Sequence, residues 1–323
     1  MKAIRIEQTG PPSVMRLVDV QVGKPKPSEI RLRHTAIGLN YIDTYHRSGL
    51  YPVTLPSGIG VEAAGVIEEL GEGVKGLKVG DRIAYGTGPV GAYAQARNVP
   101  ADRVIKIPKA ISDDTAAGMM LKGMTARYLL RVSYKVKRGE TILLHAAAGG
   151  VGQILSQWAR ALGVHVIGTV GSAGKMAAAS NNGCAHVINS GEENVVARVK
   201  EITGGKGVPV VYDGVGQATL MTSLDCLSPR GMLVSFGNAS GPVKAFDLGL
   251  LAAKGSLYVT RPTLGTFTAT AADLKETAAD LIEMVKSGKV KIPVNQRYPL
   301  AEAVKAHEDL EARRTTGTTI FIP

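Results

Sequence analysis

The run Thr141-Ile-Leu-Leu-His-Ala-Ala-Ala-Gly-Gly-Val-Gly152 constrains the fold more than any other part of the 323-residue chain. Residues 141–145 are apolar and short, the pattern of a buried strand, and residues 150–162 carry helical periodicity. Between them lies a turn built only of small residues. Its spacing, Ala147-x-Gly149-x-x-Gly152, fits a dinucleotide fingerprint with alanine in the first position. Small residues there let the chain reverse sharply, let the backbone approach a pyrophosphate and let the helix pack on the strand. The helix N-terminus then offers unpaired N–H groups and the positive end of its dipole to an anion. A second strand, residues 164–170, begins 12 residues after Gly152. An ordinary glycine-rich turn would not need that context.

The alternation continues. Residues 186–189, 208–212, 232–236 and 257–260 read as further short strands, with helices predicted over 175–182 and 193–203. Continuous apolar strands separated by helices mean βαβ units and a parallel sheet buried on both faces. Residues 1–110 have a different texture. Short apolar stretches at 30–32, 65–67, 82–85 and 104–107 are punctuated by Gly and Pro, which suggests a compact, barrel-like β domain. Helical spacing starts after Ser112 and runs over 115–130. Residues 271–287 and 301–312 read as amphipathic helices. The apolar strand 319–322 lies outside the six-strand count, so the C-terminus is expected to return to the first domain. The predicted class is α/β: a doubly wound parallel sheet over 123–264, and a β-rich domain over 1–122 to which 265–323 returns. No internal repeat or low-complexity tract is present.

Composition removes several function classes. Apolar residues make up 45% and charged residues 20%, which excludes disorder, collagen-like repeats and coiled coil. No stretch of about 18 residues is free of charge or strong polarity, so a membrane span is not expected. The opening MKAIRIEQTG alternates like a strand and lacks the apolar core of a signal peptide. With only Cys184 and Cys226, a disulfide framework is not expected and a four-cysteine zinc lobe is impossible. These features point to the cytoplasm. The net charge of +11 favours anionic partners and makes nucleic acid worth weighing. The basic residues are scattered among acids, however, with no run of five or six, which is the pattern of a positively biased surface.

The cofactor can be read from the end of the second strand. A site for NAD usually carries Asp or Glu about 20 residues past the turn, on the ribose 2′-hydroxyl. Here the segment is Gly168-Thr-Val-Gly-Ser-Ala-Gly-Lys175, without an acid. Gly171 and Ser172 leave room for a 2′-phosphate, Ser172 can donate a hydrogen bond and Lys175 supplies charge. NADPH is therefore expected over NADH; the alternative is that Lys175 is simply an exposed helix lysine.

The turn 141–152, the turn Val79-Gly-Asp-Arg82 and the block Pro56-Ser-Gly-Ile-Gly-Val-Glu-Ala-Ala-Gly65 resemble the medium-chain dehydrogenase/reductase superfamily. Leu39-Asn-Tyr-Ile-Asp-Thr-Tyr-His-Arg-Ser-Gly-Leu-Tyr51, Val234-Ser-Phe-Gly-Asn-Ala-Ser-Gly241 and Gly255-Ser-Leu-Tyr-Val-Thr-Arg-Pro262 extend the resemblance, essentially end to end, to bacterial NADPH:quinone oxidoreductases of the zeta-crystallin type. The resemblance implies a Rossmann domain, a GroES-like catalytic domain and a homodimer. The superfamily also holds zinc alcohol dehydrogenases, which place Cys where this chain has Asn40 and a Gly-His-Glu motif where it has Gly60-Val61-Glu62. Valine cannot ligate zinc, and His34, His46, His145, His165, His186 and His307 show no ligand-pair spacing. Most of these histidines are expected at the surface or partly packed, with His145 structural. Alcohol oxidation through a zinc-bound hydroxyl is disfavoured. Zinc-free hydride transfer suits acceptors that are already electrophilic, namely quinones, enones and enals.

By the same resemblance, Asn40, Tyr45 and Tyr51 line the nicotinamide and substrate cleft between the domains. Asn40 can donate an amide N–H, and the tyrosines offer flat faces and hydroxyls; core packing is the alternative for them. Thr125 and Tyr128 match positions near the nicotinamide. Ala147, Gly149, Gly150, Val151 and Gly152 match the pyrophosphate turn, and Gly171, Ser172 and Lys175 the 2′-phosphate site. Phe236, Gly237, Asn238 and Ala239 match a loop beside the cofactor, and Arg313 a C-terminal basic contact. The family carries Tyr just after the third strand, near the adenosine phosphate. Here Ser190 follows Asn189, so the stacking platform is lost and weaker or less selective NADPH binding is expected; His46 beside Tyr45 is a second departure. The expected function is an NADPH-dependent quinone reductase. Its alternatives are an enone or enal double-bond reductase, RNA binding as in some zeta-crystallin relatives, and a lens-like scaffold without turnover.

Overall fold

The computed structural model describes all residues from Met1 to Pro323. The strands in chain order are Lys2–Ile6 (β1), Arg16–Asp19 (β2), Glu29–Leu39 (β3), Ser57–Gly58 (β4), Glu62–Leu70 (β5), Arg82–Tyr85 (β6), Ala96–Pro100 (β7) and Ile105–Lys106 (β8). They are followed by Thr141–Leu144 (β9), His165–Val170 (β10), Cys184–Asn189 (β11), Val208–Asp213 (β12), Leu227–Ser235 (β13), Tyr258–Thr260 (β14), Val294–Pro299 (β15) and Thr318–Ile322 (β16). The helices used below are Tyr41–Ser48 (α1), Asp113–Tyr128 (α2), Gly150–Ala161 (α3) and Met176–Asn181 (α4).

The chain forms two compact units, one of Met1–Met124, Phe267–Lys286 and Ile292–Pro323, the other of Thr125–Thr266 and Ser287–Lys291. The first unit holds a sheet of order β15-β16-β3-β5-β6-β8, with β7 also paired to β3, and a small sheet β2-β1-β4. Strand β3 is long enough to serve three partners: β5 and β7 along its length and β16 at its end. The pairing Thr319↔Leu39 carries the C-terminus back onto this sheet, as the apolar strand at the end of the sequence suggested. Ile6, Ile30, Leu32, Ile37, Ile59, Ile83 and Phe321, all buried, fill its core.

The second unit is a parallel six-stranded sheet of order β11-β10-β9-β12-β13-β14. The order reverses on either side of β9, so β9 sits at the topological switch point, where open α/β sheets bind ligands beyond the carboxyl ends of their strands. Trp158 on α3 is fully buried, and β-branched and leucine side chains pack both sheet faces. Residues 287–291 belong to this unit and not, as the sequence suggested, to the β-rich one. The reason is local: the Gln157 amide donates to the Lys291 carbonyl at 2.9 Å and accepts from the Lys291 N–H at 2.8 Å.

Candidate active site

In the second unit, the predicted coenzyme residues gather at the carboxyl ends of adjacent strands. After β9 the chain turns through Ala146, whose φ is +55°, and enters α3 with Gly149 at the N-cap. A Cβ on Gly152 would lie 2.5 Å from the Ala146 carbonyl oxygen and 2.7 Å from that of Ala147, so only glycine lets the helix sit this close to the strand end. No side chain caps α3 and its first turn holds no acid. Its leading N–H groups and positive dipole end are therefore left for an external anion. Ala147 is fully buried, and its N–H donates to the Thr169 carbonyl of β10 at 2.9 Å, which fixes the turn against the neighbouring strand.

Gly171, Ser172 and Lys175 follow β10 directly, and Gly171 and Gly174 have open space where a Cβ would stand. Ser190 follows β11, which pairs with β10 through Val170↔Asn189. Its N–H and its hydroxyl both donate to the Val170 carbonyl, at 2.8 and 3.0 Å, so Ser190 is pinned beside Gly171. No carboxylate follows β10. The loop Phe236-Gly-Asn-Ala239 follows β13. It is tied to β12 by Phe236 N–H to the Asp213 carbonyl at 2.8 Å, and a Cβ on Gly237 would lie 2.3 Å from the Gly214 carbonyl. Asp213 organises that end of the sheet: its buried carboxylate accepts from the N–H groups of Val215 and Gly216 and from the hydroxyls of Thr219 and Ser223, at 2.7–3.0 Å. Thr125 and Tyr128, both buried, stand on the last turn of α2. These features fit a dinucleotide phosphate with a 2′-phosphate.

In the first unit, Asn40 is the N-cap of α1 and forms a capping box with Asp43; its N–H donates to Asp43 Oδ2 at 2.9 Å. Helix α1 ends at Gly49 with φ +83°, and Tyr51 folds back so that its N–H donates to the Tyr45 carbonyl at 3.0 Å. The turn brings the rings together: Tyr45 lies 5.6 Å from Tyr41 and 5.1 Å from Tyr51, and His46 lies 6.0 Å from Tyr51. Arg313 follows the helix Ala303–Glu311 of this unit, exposed, with φ +58°.

Two residues the sequence reading passed over complete the surroundings of Asn40. Glu62, fully buried at the start of β5, accepts from Asn40 Nδ2 at 2.7 Å, from the Leu121 N–H at 2.8 Å and from Lys122 Nζ at 3.2 Å. Lys122 itself is 6% exposed. Gly38 makes room for this carboxylate, since a Cβ there would fall 2.3 Å from Glu62 Oε2. The available signal was Lys122 itself, a lone charge inside the apolar stretch Ala116-Ala-Gly-Met-Met-Leu-Lys-Gly-Met124. A buried lysine requires an acidic partner.

A second buried network adjoins the first through Asp43. Arg47 Nη1 donates to His307 Nδ1 at 3.0 Å, and a guanidinium can only donate, so the proton of this imidazole sits on Nε2. His307 Nε2 then donates to the Tyr93 hydroxyl at 3.1 Å, and Tyr93 donates to Asp43 Oδ2 at 2.8 Å. Burial, helped by Arg47, holds His307 at about 3, and burial pushes the Asp43 carboxyl up to about 7. Four of the six histidines, His34, His46, His145 and His307, are buried; for His34, His46 and His307 this departs from the expectation of surface or partial packing, while His145 fits its expected structural place. His34 and His307 have both ring nitrogens engaged by partners distant in sequence, such as the Ala94 carbonyl and Tyr85 hydroxyl on His34, whereas His46 Nδ1 and His145 Nε2 are buried without a hydrogen-bond partner.

The donor set does not suit zinc. No group of three or more His, Cys, Asp or Glu side chains converges. Val61 is apolar, Asn40 spends an N–H on Glu62, and the Glu62 carboxylate already holds the Lys122 ammonium, which would repel a second cation.

Comparison with known proteins agrees with this geometry. The alcohol dehydrogenase GroES-like domain family matches residues 26–109, and the zinc-binding dehydrogenase family matches residues 150–284. The chain is 52% identical over 323 residues to a quinone oxidoreductase of Pseudomonas aeruginosa, covering 100% of this chain and 99% of that protein. It is 45% identical to a 2-haloacrylate reductase of a Burkholderia species, covering 98% of each. Among solved structures, the quinone oxidoreductase of Escherichia coli complexed with NADPH superimposes with a TM-score of 0.99 at 49% identity, over 100% of both chains.

Proposed function

The chain belongs to the medium-chain dehydrogenase/reductase family, within its group of quinone oxidoreductases, and from that membership we propose that it reduces quinones with NADPH and without zinc. The observation that carries this reading is the coenzyme cradle of the second unit. A glycine turn with an uncapped helix N-terminus lies beside Gly171, Ser172, Lys175 and Ser190, with no carboxylate to reject a 2′-phosphate. Bound there, NADPH supplies a hydride. Ala147, Gly149, Gly150, Val151 and Gly152 hold the pyrophosphate, and Ser172 and Lys175 the 2′-phosphate. Thr125, Tyr128, Phe236, Gly237, Asn238, Ala239 and Arg313 complete the coenzyme contacts.

Asn40, Tyr45 and Tyr51 handle the acceptor. The tyrosines offer faces for a flat ring, and Asn40 keeps one amide hydrogen beyond the one given to Glu62. A quinone accepts a hydride without a metal, because its carbonyls are already electrophilic and its product draws protons from water. NADPH oxidation with 1,4-benzoquinone and with 9,10-phenanthrenequinone, with and without chelator, tests the reading; no turnover with either quinone would refute it. A second reading, reduction of a conjugated double bond, draws support from the likeness to 2-haloacrylate reductase. A 2-alkenal in the same assay separates the two.

Strand β14 pairs only with β13, and Tyr258 and Val259 on it are exposed. An open edge of this kind suits pairing with a second copy about a two-fold axis, and we assign it to a homodimer. Both cysteines are free thiols, in keeping with the cytoplasm, and no helix is long and apolar enough to cross a membrane.

A further inference from the structure

Lys122 and Asn40 are both buried, and each holds hydrogen-bond donors it does not spend. The Lys122 ammonium has three N–H groups and one bond, to Glu62 Oε2 at 3.2 Å; the Asn40 amide nitrogen has two and one bond, to the same oxygen at 2.7 Å. Sharing that oxygen places the two nitrogens within about 6 Å of one another, so one further acceptor atom can reach both. A buried donor without an acceptor is destabilising, the more so when it is charged. Such an arrangement persists where a ligand brings the missing acceptor. Neither places a second hydrogen on Glu62: Oε2 already accepts from both, and the second oxygen accepts from the Leu121 N–H at 2.8 Å.

We propose that Lys122 and Asn40 form a two-donor cradle for the acceptor oxygen that gains negative charge, with Glu62 as the positioning residue that aims both. This rests on the quinone-reductase reading and adds Lys122 to it as a catalytic residue. In the step concerned, the dihydropyridine C–H bond breaks and both of its electrons pass with the hydrogen to the quinone. The products are NADP⁺ and a hydroquinone monoanion, whose oxygen lies between the two nitrogens. A proton from water then gives the neutral hydroquinone. The favoured substrates are those whose reduction leaves an oxyanion, as quinones and conjugated carbonyls do. The cradle replaces, with fixed protein donors, what a metal would do for a carbonyl oxygen.

Removing one donor from an oxyanion site lowers kcat on the order of 10²-fold. Lys122→Met is expected to show a loss of that size with 1,4-benzoquinone while NADPH affinity, followed by fluorescence, changes less than twofold. Lys122→Arg, which keeps the charge, is expected to recover at least tenfold of it. Glu62→Gln puts an amide against two donors, so Asn40 turns its oxygen toward it; kcat falls and KM changes little. If Lys122→Met fails to fold because Glu62 is stranded, the double variant Glu62→Gln/Lys122→Met removes both charges together and still lacks the ammonium. A separate arm needs no turnover: 4-nitrophenol titrated into the protein is expected to bind as its coloured anion to wild type and not to the Lys122→Met or double variant. Wild-type turnover with unchanged kcat in these variants, or equal binding of the anion by all of them, would overturn the cradle. Absence of wild-type turnover would instead refute the quinone-reductase reading, and the 4-nitrophenol arm would still decide the cradle.

Discussion

Asp43 gives a sharp test of the buried network in the first unit. Its carboxyl is fully buried, accepts from Tyr93 and from the Asn40 N–H on one oxygen, and leaves Oδ1 without a partner. Burial raises it from 3.8 to about 7. Below about pH 4 the folded and unfolded chains both hold this proton. Between about 4 and 7 the folded chain keeps it while the unfolded chain has released it, so stability falls as pH rises. Above 7 the full penalty is in force. At ~1.4 kcal/mol per pH unit, the interval amounts to roughly 4 kcal/mol. Asp43→Asn keeps one oxygen for Tyr93 and Asn40 and mimics the protonated form, so it escapes the penalty. The variant is expected to match wild type near pH 4 and to be more stable at pH 8.5, by on the order of 10 °C in Tm. His34 and His307, which burial lowers to about 4 and about 3, act in the opposite sense: the unfolded chain binds their protons first as pH falls below 6.5. They are present in both proteins, and the difference between the two melting curves isolates Asp43. A variant equally destabilised at both pH values, or less stable than wild type at pH 8.5, would refute this reasoning.

Lys175→Ala is expected to weaken NADPH about tenfold or more and to leave NADH nearly unchanged, measured by calorimetry, because only the 2′-phosphate needs that charge. Ser190→Tyr is expected to strengthen NADPH binding by restoring a stacking face at the end of β11, read from the same titration. Gly152→Val forces a Cβ to within 2.5 Å of a backbone carbonyl, so a loss of about 1–3 kcal/mol in stability and of coenzyme binding is expected, checked by thermal melting with and without NADPH. Tyr258→Lys with Val259→Lys on the open edge of β14 is expected to yield monomers by light scattering.

The parallel sheet was legible because its signals are local. The apolar strand, the small-residue turn and the helix after it lie within residues 141–162, and the missing carboxylate near Ser172 could be read beside them. The C-terminal strand was legible as a surplus over the six-strand count. The charged interior of the β-rich unit was not. Asn40 meets Glu62 across 22 residues, Glu62 meets Lys122 across 60, and Arg47 meets His307 across 260. Periodicity within any short window carries no trace of such pairings. Glu62 was visible only as the remnant of a motif that fails to bind zinc, and Lys122 as a lone charge in an apolar helix. His34 and His307 were misplaced for the same reason: a ring that finds a carbonyl or hydroxyl elsewhere in the chain can be buried, and the sequence near it does not show the partner.

The most direct measurement is the initial rate of NADPH oxidation with 1,4-benzoquinone by protein shown to be metal-free by elemental analysis. The expected result is saturable turnover, unchanged by added zinc or chelator and lower with NADH. A rate indistinguishable from the uncatalysed reaction, or one that appears only when zinc is restored, would contradict it.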